Sequence, residues 1–394
     1  MPQRRWPALD GMRAIAVLAV ILYHVGVLAG GYLGVDVFFV LSGFLITSWL
    51  IGEWDARGGR VSLRDFYARR VLRLFPALGC VIVAALVFAG SLAVTGGPGE
   101  RSYALVTVHA VPWVLAFAGN WVRAFGSPPL THSLGALGHT WSLAVEEQFY
   151  LLWPLLFVLL MRRRISRDRL ALAVGLLAIA EMIYRDWLAG LAASQDRIYY
   201  ATDTHSDGLL IGCALAFWLT RRVAEPDSPG RARTALGWLA GSLLAALFLA
   251  GSRSVGPVET SVAVLASGAL VAGIVDGGAP AGLLRMLCSR SLVRIGRRSY
   301  GLYLWQYILL AAAEALCSEA GVSRLGPLSA RVVFAAAMAG GVVATFGMAE
   351  LSYKYVELPA LRLKRRFRWA DVVQAGPDGE TDAAKRSVGP LVSL

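Results

Sequence analysis

Leu9-Asp10-Gly11-Met12-Arg13-Ala14-Ile15-Ala16-Val17-Leu18-Ala19-Val20-Ile21-Leu22-Tyr23-His24 opens the chain with an apolar run that carries one cation near its start and one imidazole further along. The run, read as a span over 12–28, is long enough to enter a hydrocarbon core about 30 Å thick. An ionisable residue inside such a segment is costly and marks a functional site by default. Arg13 and His24 lie eleven positions apart, almost three helical turns, so they share one face and stand roughly 16 Å apart along the axis. That spacing places the imidazole near the membrane midplane and the guanidinium at its rim.

The rest of the chain has the same character. Of 394 residues, 57% are hydrophobic and 16% charged, against about 25% charged in a soluble domain. This is the composition of a polytopic membrane protein. The net charge of +12 does not point to nucleic acid, because the arginines sit in short loops between apolar runs, the positive-inside pattern. Lysines are limited to Lys354, Lys364 and Lys385, and the richness in Ala, Gly and Arg suits a bacterial source. Cys80, Cys213, Cys288 and Cys317 are far apart, a spacing that fits neither a metal site nor a disulfide framework. The first run shows no cleavage site and continues into a second span, so no cleavable signal is expected.

Candidate spans fall at 12–28, 32–51, 74–94, 148–161, 170–190, 205–220, 235–250, 258–275, 300–317 and 330–351. Basic clusters at Arg57 to Arg73, Arg162 to Arg169, Arg221 to Arg233 and Arg285 to Arg298 belong in the cytoplasm with both termini. All of them can do so if the region from Val94 to Ala144 makes no net crossing. The apolar stretch 103–122 contains His109, Pro112, Trp113 and Asn120, poor residues for lipid contact, and irregular backbone survives at membrane depth only when protein or a wet cavity surrounds it. The expectation is an all-α membrane helix bundle of about ten transmembrane helices with a re-entrant segment near 103–140. An ordinary extra span that breaks the charge rule is the alternative. Glu181, Arg185 and Asp186 should face the bundle interior. Residues 1–363 form the membrane domain and 364–394 a polar, disordered cytoplasmic tail. The expected location is the bacterial inner membrane, with both termini cytoplasmic.

Three further stretches join the first. They are Gly31-Tyr32-Leu33-Gly34-Val35-Asp36-Val37-Phe38-Phe39-Val40-Leu41-Ser42-Gly43-Phe44-Leu45-Ile46, then Phe66-Tyr67-Ala68-Arg69-Arg70-Val71-Leu72-Arg73-Leu74-Phe75-Pro76, and Thr140-Trp141-Ser142-Leu143-Ala144-Val145-Glu146-Glu147-Gln148-Phe149-Tyr150. In this order they resemble the acyltransferase 3 family of integral membrane O-acyltransferases, from about Asp10 to Pro359. The resemblance implies transfer of an acyl group, often acetyl, from acyl-CoA on the cytoplasmic side to a hydroxyl of a sugar, glycan or natural product. It also implies Arg13, His24, Arg70 and Arg73 as the functional landmarks. The family commonly has arginine where His205 stands and histidine where Gln306 stands, departures that bear on specificity. Leu351-Ser352-Tyr353-Lys354-Tyr355-Val356-Glu357-Leu358-Pro359 matches the family's usual end, and no appended esterase-like domain is expected.

These residue types suit that chemistry. An alcohol attacking a thioester must lose a proton, and a neutral imidazole is the side chain best placed to take it; the alternative for His24 is a hydrogen bond to a neighbouring helix. Arg69, Arg70 and Arg73, with Arg13, are candidates for the phosphates of coenzyme A, since guanidinium forks match phosphate oxygens. The plainer reading of the same arginines is a topology anchor. Glu146 and Glu147 are the candidate catalytic carboxylates, one to orient the imidazole or bind an acceptor hydroxyl, the other at a helix start where acids are favoured. Asp36, Ser42, Trp141, His205, Asp207 and Gln306 are candidates for the acceptor site, with helix capping as the other reading for Asp36. No metal and no bound cofactor is expected; acyl-CoA is a co-substrate. The partners expected are acyl-CoA, a hydroxylated acceptor and the lipid bilayer, not nucleic acid. An acyl-enzyme relay through His24 is the mechanistic variant, and a transporter or flippase of a lipid-linked sugar is the rival class.

Overall fold

A computed structural model describes residues 6–126, 134–220, 231–251, 256–319, 322 and 326–363. The tail 364–394 and the basic loop 221–230 lie outside them. Every described element is helical. In chain order they are α1 (Pro7–His24), α2 (Gly34–Ala56), α3 (Leu63–Thr95), α4 (Pro98–Leu115), α5 (Gly119–Phe125), α6 (Trp141–Arg162), α7 (Arg167–Gly190), α8 (Gln195–Tyr200), α9 (Thr202–His205) and α10 (Asp207–Leu219). Then follow α11 (Arg231–Ala250), α12 (Pro257–Val275), α13 (Ala281–Leu287), α14 (Arg290–Arg297), α15 (Ser299–Glu319), α16 (Pro327–Ser352) and α17 (Leu358–Leu363). Short 3-10 turns, Ala29–Leu33 and Gly135–Thr140, lead into α2 and α6.

Each of the ten expected spans coincides with a helix, and among the described residues seven are long and apolar enough to cross a membrane. The other three depart for visible reasons. α7 carries Glu181, Arg185 and Asp186, α10 is only 13 residues long, and α15 is diluted by Gln306 and Glu314. Large apolar side chains cover the outer faces of α3, α6, α7, α11 and α16, among them Val87, Leu152, Leu176, Leu239 and Val343. So wide an apolar exterior requires a non-aqueous surround. Glu181 and Arg185, one turn apart, point inward as expected, whereas Asp186 is exposed.

Boundaries correct several expectations. Pro7 occupies the first turn of α1, where a missing N–H costs nothing, and Gly26 takes a left-handed φ of 79° that stops the helix. His24 is therefore the last residue of α1, not an interior one. Ser62 caps α3 by accepting from the Asp65 N–H at 3.3 Å, so Arg70 and Arg73 lie within the helix rather than ahead of it. α6 starts at Trp141, which puts Glu146 and Glu147 in its second turn, away from the favoured helix start.

The region expected to be re-entrant forms a hairpin. α4 doubles back along α3, with Ala104 packed on Ala89 and Leu92, and Ala110 and Val114 on the Leu74–Ala85 stretch. It ends where Phe117, at a left-handed φ of 50°, meets Phe75 with ring centres 5.8 Å apart. From there α5 turns to α8, Asn120 donating to the Tyr200 carbonyl at 3.2 Å and to Thr202 at 2.9 Å. Asn120 is buried, but His109, Pro112 and Trp113 lie on the outer face, contrary to the expectation that all four are shielded.

α2 and α10 form the tightest seam. A Cβ on Gly43 would stand 2.0 Å from the Leu209 carbonyl, and one on Gly212 would stand 2.2 Å from that of Val40. Close backbone approach through small residues is how membrane helices gain packing energy. Gly43→Ala is expected to destabilise the protein by about 1–3 kcal/mol through overpacking, read as a lower melting temperature in detergent, while Gly52→Ala, in open space on the same helix, leaves it unchanged.

Candidate active site

The predicted residues separate into three groups. The first lies between α1, α3 and α6, where Arg73 is close enough to Arg13 and Arg70 to be repelled by both. Arg70 donates to Glu147 at 3.2 Å and stacks over the Tyr150 ring at 3.2 Å. Glu146 accepts from Ser42 at 2.5 Å and from the Tyr150 hydroxyl. Glu357, in a π-helical turn over Tyr353–Glu357, also faces Arg73. Among the described residues the buried Nε atoms of Arg13 and Arg70 have no hydrogen-bond partner. Fixed guanidiniums with spare donors in a half-buried setting are what an anionic phosphate group requires. Arg69 is not part of this set: it lies over Trp49 at 4.4 Å and is drawn to Glu53 at 4.0 Å.

His24 forms the second group, at the far end of α1. Its Nδ1 is 2.9 Å from the Val20 carbonyl. A carbonyl can only accept, so Nδ1 carries the proton and Nε2 keeps its lone pair, the tautomer a general base needs. The ring meets Tyr307 edge-on at 5.3 Å and Tyr23 at 5.4 Å. Gln306 stands beside it, fully buried, with neither amide atom in a well-formed hydrogen bond. Neither Glu146 nor Glu147 reaches this ring; both belong to the arginine group, with the hydrogen bonds given above.

Three residues that sequence reasoning missed complete the second group. His139, 3% exposed, stacks on Tyr307 at 5.0 Å and an interplanar angle of 26°. Tyr303 donates to the His139 carbonyl at 2.7 Å and shares a 2.5 Å hydrogen bond with Ser142. Arg123 clamps the segment by donating to the Gly138 carbonyl at 2.9 Å and to the Tyr200 hydroxyl at 2.5 Å. The available signals were the position of His139 immediately before Thr140-Trp141 and the isolation of Arg123 in an apolar stretch.

The third group is a buried polar cluster between α2, α8, α9 and α10. Asp36 bonds His205 Nε2 at 2.9 Å, and His205 Nδ1 is 2.6 Å from the Tyr199 carbonyl. Asp36 lies in the first turn of α2 but does not cap it, since its side chain turns to His205. Asp207 is held by both ends of Arg185, at 3.1 and 2.9 Å. That pairing engages both carboxylate oxygens of Asp207. Trp141 packs on Tyr199, Tyr200 and His205 with ring centres at 4.8, 5.0 and 5.4 Å. Of the acceptor-site candidates, only Gln306 stands against His24, Ser42 belongs with the arginines, and the other four form this cluster.

A family described as "Acyltransferase domain" matches residues 6–349. The peptidoglycan O-acetyltransferase OatA of Listeria monocytogenes is 32% identical over 90% of this chain and 55% of its own length. The putative peptidoglycan O-acetyltransferase YrhL of Bacillus subtilis is 34% identical over 90% of this chain and 54% of its own. For the O-acetyltransferase OatA of Staphylococcus aureus the figures are 32%, 90% and 57%. The chain thus spans about half the length of the curated relatives it matches. No solved structure matches it.

Proposed function

Because the chain belongs to the acyltransferase family whose pattern covers residues 6–349, we propose that it transfers an acetyl group from acetyl-CoA to a hydroxyl of a cell-envelope glycan. The names of its relatives point to peptidoglycan as the class of acceptor. The observation that carries the reading is the placement of a base-competent imidazole and a separate arginine cluster at two ends of one helix face.

Arg13, Arg70 and Arg73 hold the phosphates of the donor at the basic end of the bundle, and the pantetheine arm runs along α1 toward His24. Glu147 keeps Arg70 extended, and Glu146, Ser42 and Tyr150 brace it. The acceptor hydroxyl gives its proton to His24 Nε2 as its oxygen bonds to the thioester carbonyl carbon. The carbonyl electron pair moves to oxygen, then returns as the carbon–sulfur bond breaks. The thiolate takes the proton from the imidazolium, which leaves acetyl ester, CoA thiol and neutral His24. In this reading the acceptor approaches His24 from the end of the bundle opposite the arginines.

The test uses the protein in nanodiscs with [14C]acetyl-CoA and a peptidoglycan-derived oligosaccharide. The expected result is alkali-labile label on the sugar, with thiol release that depends on the acceptor. Sealed vesicles that move the sugar unmodified, with no label transferred, would support the transporter instead. A burst of thiol without acceptor would replace direct transfer by an acyl-enzyme relay.

A further inference from the structure

His139 is a buried polar group that this mechanism leaves without a task. The residue is 3% exposed, and among the described residues neither ring nitrogen has a hydrogen-bond partner. The Leu304 carbonyl lies near the ring without completing a bond to it, and closing that contact would still leave the second nitrogen bare. Leaving a buried donor or acceptor unmade is unfavourable, so such atoms concentrate where a ligand supplies the missing partner.

The surroundings hold this ring with care. Its backbone carbonyl accepts from Tyr303, the preceding carbonyl accepts from Arg123, and its face is stacked on Tyr307. The same Tyr307 ring is the edge contact of His24. Two imidazoles thus share one aromatic wall, and only His24 has its tautomer set by the protein. A ring fixed in position but unfixed in hydrogen bonding suits a donor to an oxygen that acquires charge during the reaction.

We propose that His139 is a second catalytic imidazole, whose free N–H donates to the carbonyl oxygen of the acyl group while His24 takes the acceptor proton. The inference rests on the acyl-transfer reading given above. As the tetrahedral carbon forms, the carbonyl pair becomes an oxyanion held by this hydrogen bond. When the carbon–sulfur bond breaks, the pair returns to carbon and His139 is unchanged.

The test compares His139→Leu, which fills the ring's volume without a donor, and His139→Gln, which keeps an N–H, with wild type and His24→Ala. All are measured as full-length protein in nanodiscs with acetyl-CoA. His139→Leu is expected to lower kcat about 10²–10³-fold, with CoA binding unchanged and a melting temperature equal to or above wild type, since two unsatisfied buried atoms are gone. His139→Gln is expected to recover at least part of the rate. A purely structural histidine would show the reverse, a lower melting temperature with kcat retained in the folded fraction. An active wild type with an unimpaired His139→Leu, or with a glutamine no better than leucine, overturns this inference alone. An inert wild type overturns the acyl-transfer reading and takes the inference with it.

Discussion

His24→Ala is expected to lose acetyl transfer by about 10²–10⁴-fold in kcat, the contribution of a general base, while CoA binds as tightly as to wild type. The two effects separate because donor binding and proton removal occupy different ends of α1. The histidine is the last residue of its helix, and its Nδ1 donates to the Val20 carbonyl one turn back, so alanine removes the lone pair without stranding a buried charge. A helix-packing role for the ring would instead show as lost stability with activity preserved in the folded fraction. His24→Gln, which keeps a donor toward Val20 but has no basic nitrogen, is expected to be as inactive as alanine.

The second large effect is on the donor. Hydrogen bonds to charged groups contribute about 1.5–3 kcal/mol each, so Arg70→Ala with Arg73→Ala is expected to weaken CoA binding on the order of 10²–10⁴-fold. The two arginines differ in what else they do. Arg70 neutralises Glu147 and stacks on Tyr150, so its loss leaves a carboxylate unpaired and lowers stability as well. Arg73 repels Arg13 and Arg70 but faces Glu357, so Arg73→Ala weakens binding with a smaller loss of melting temperature than Arg70→Ala. Isothermal titration with CoA, beside thermal melts of each single variant, reads both quantities. Arginines that only set topology would leave the affinity of the inserted protein untouched.

The helices were legible because hydrophobic length and basic loops are local properties. The pairing of Arg13 with His24 was legible for the same reason, both being on one helix. The motif offers Glu146 and Glu147 as carboxylates, one to orient the imidazole or bind an acceptor hydroxyl and the other at a helix start, yet α6 begins at Trp141, and the register this sets turns them to Ser42, Tyr150 and Arg70. The roles of His139, Arg123 and Tyr303 are not legible in the sequence because these residues meet through the hairpin that α4 and α5 make beside α3, which carries Arg123 and His139 to α15. The apolar run 103–122 suggested a segment shielded on all sides, but His109, Pro112 and Trp113 face outward and only Asn120 is buried. The helical period of α4, not polarity, decided which of its residues met α3.

The most direct test of the central claim is release of CoA thiol from acetyl-CoA by the wild-type protein in nanodiscs, with and without the glycan acceptor, beside His24→Ala at equal CoA occupancy. The account predicts thiol released in step with ester formed, only when the acceptor is present, and none above background from His24→Ala. Folded wild-type protein that binds acetyl-CoA without releasing thiol, or a His24→Ala variant that turns over normally, contradicts it.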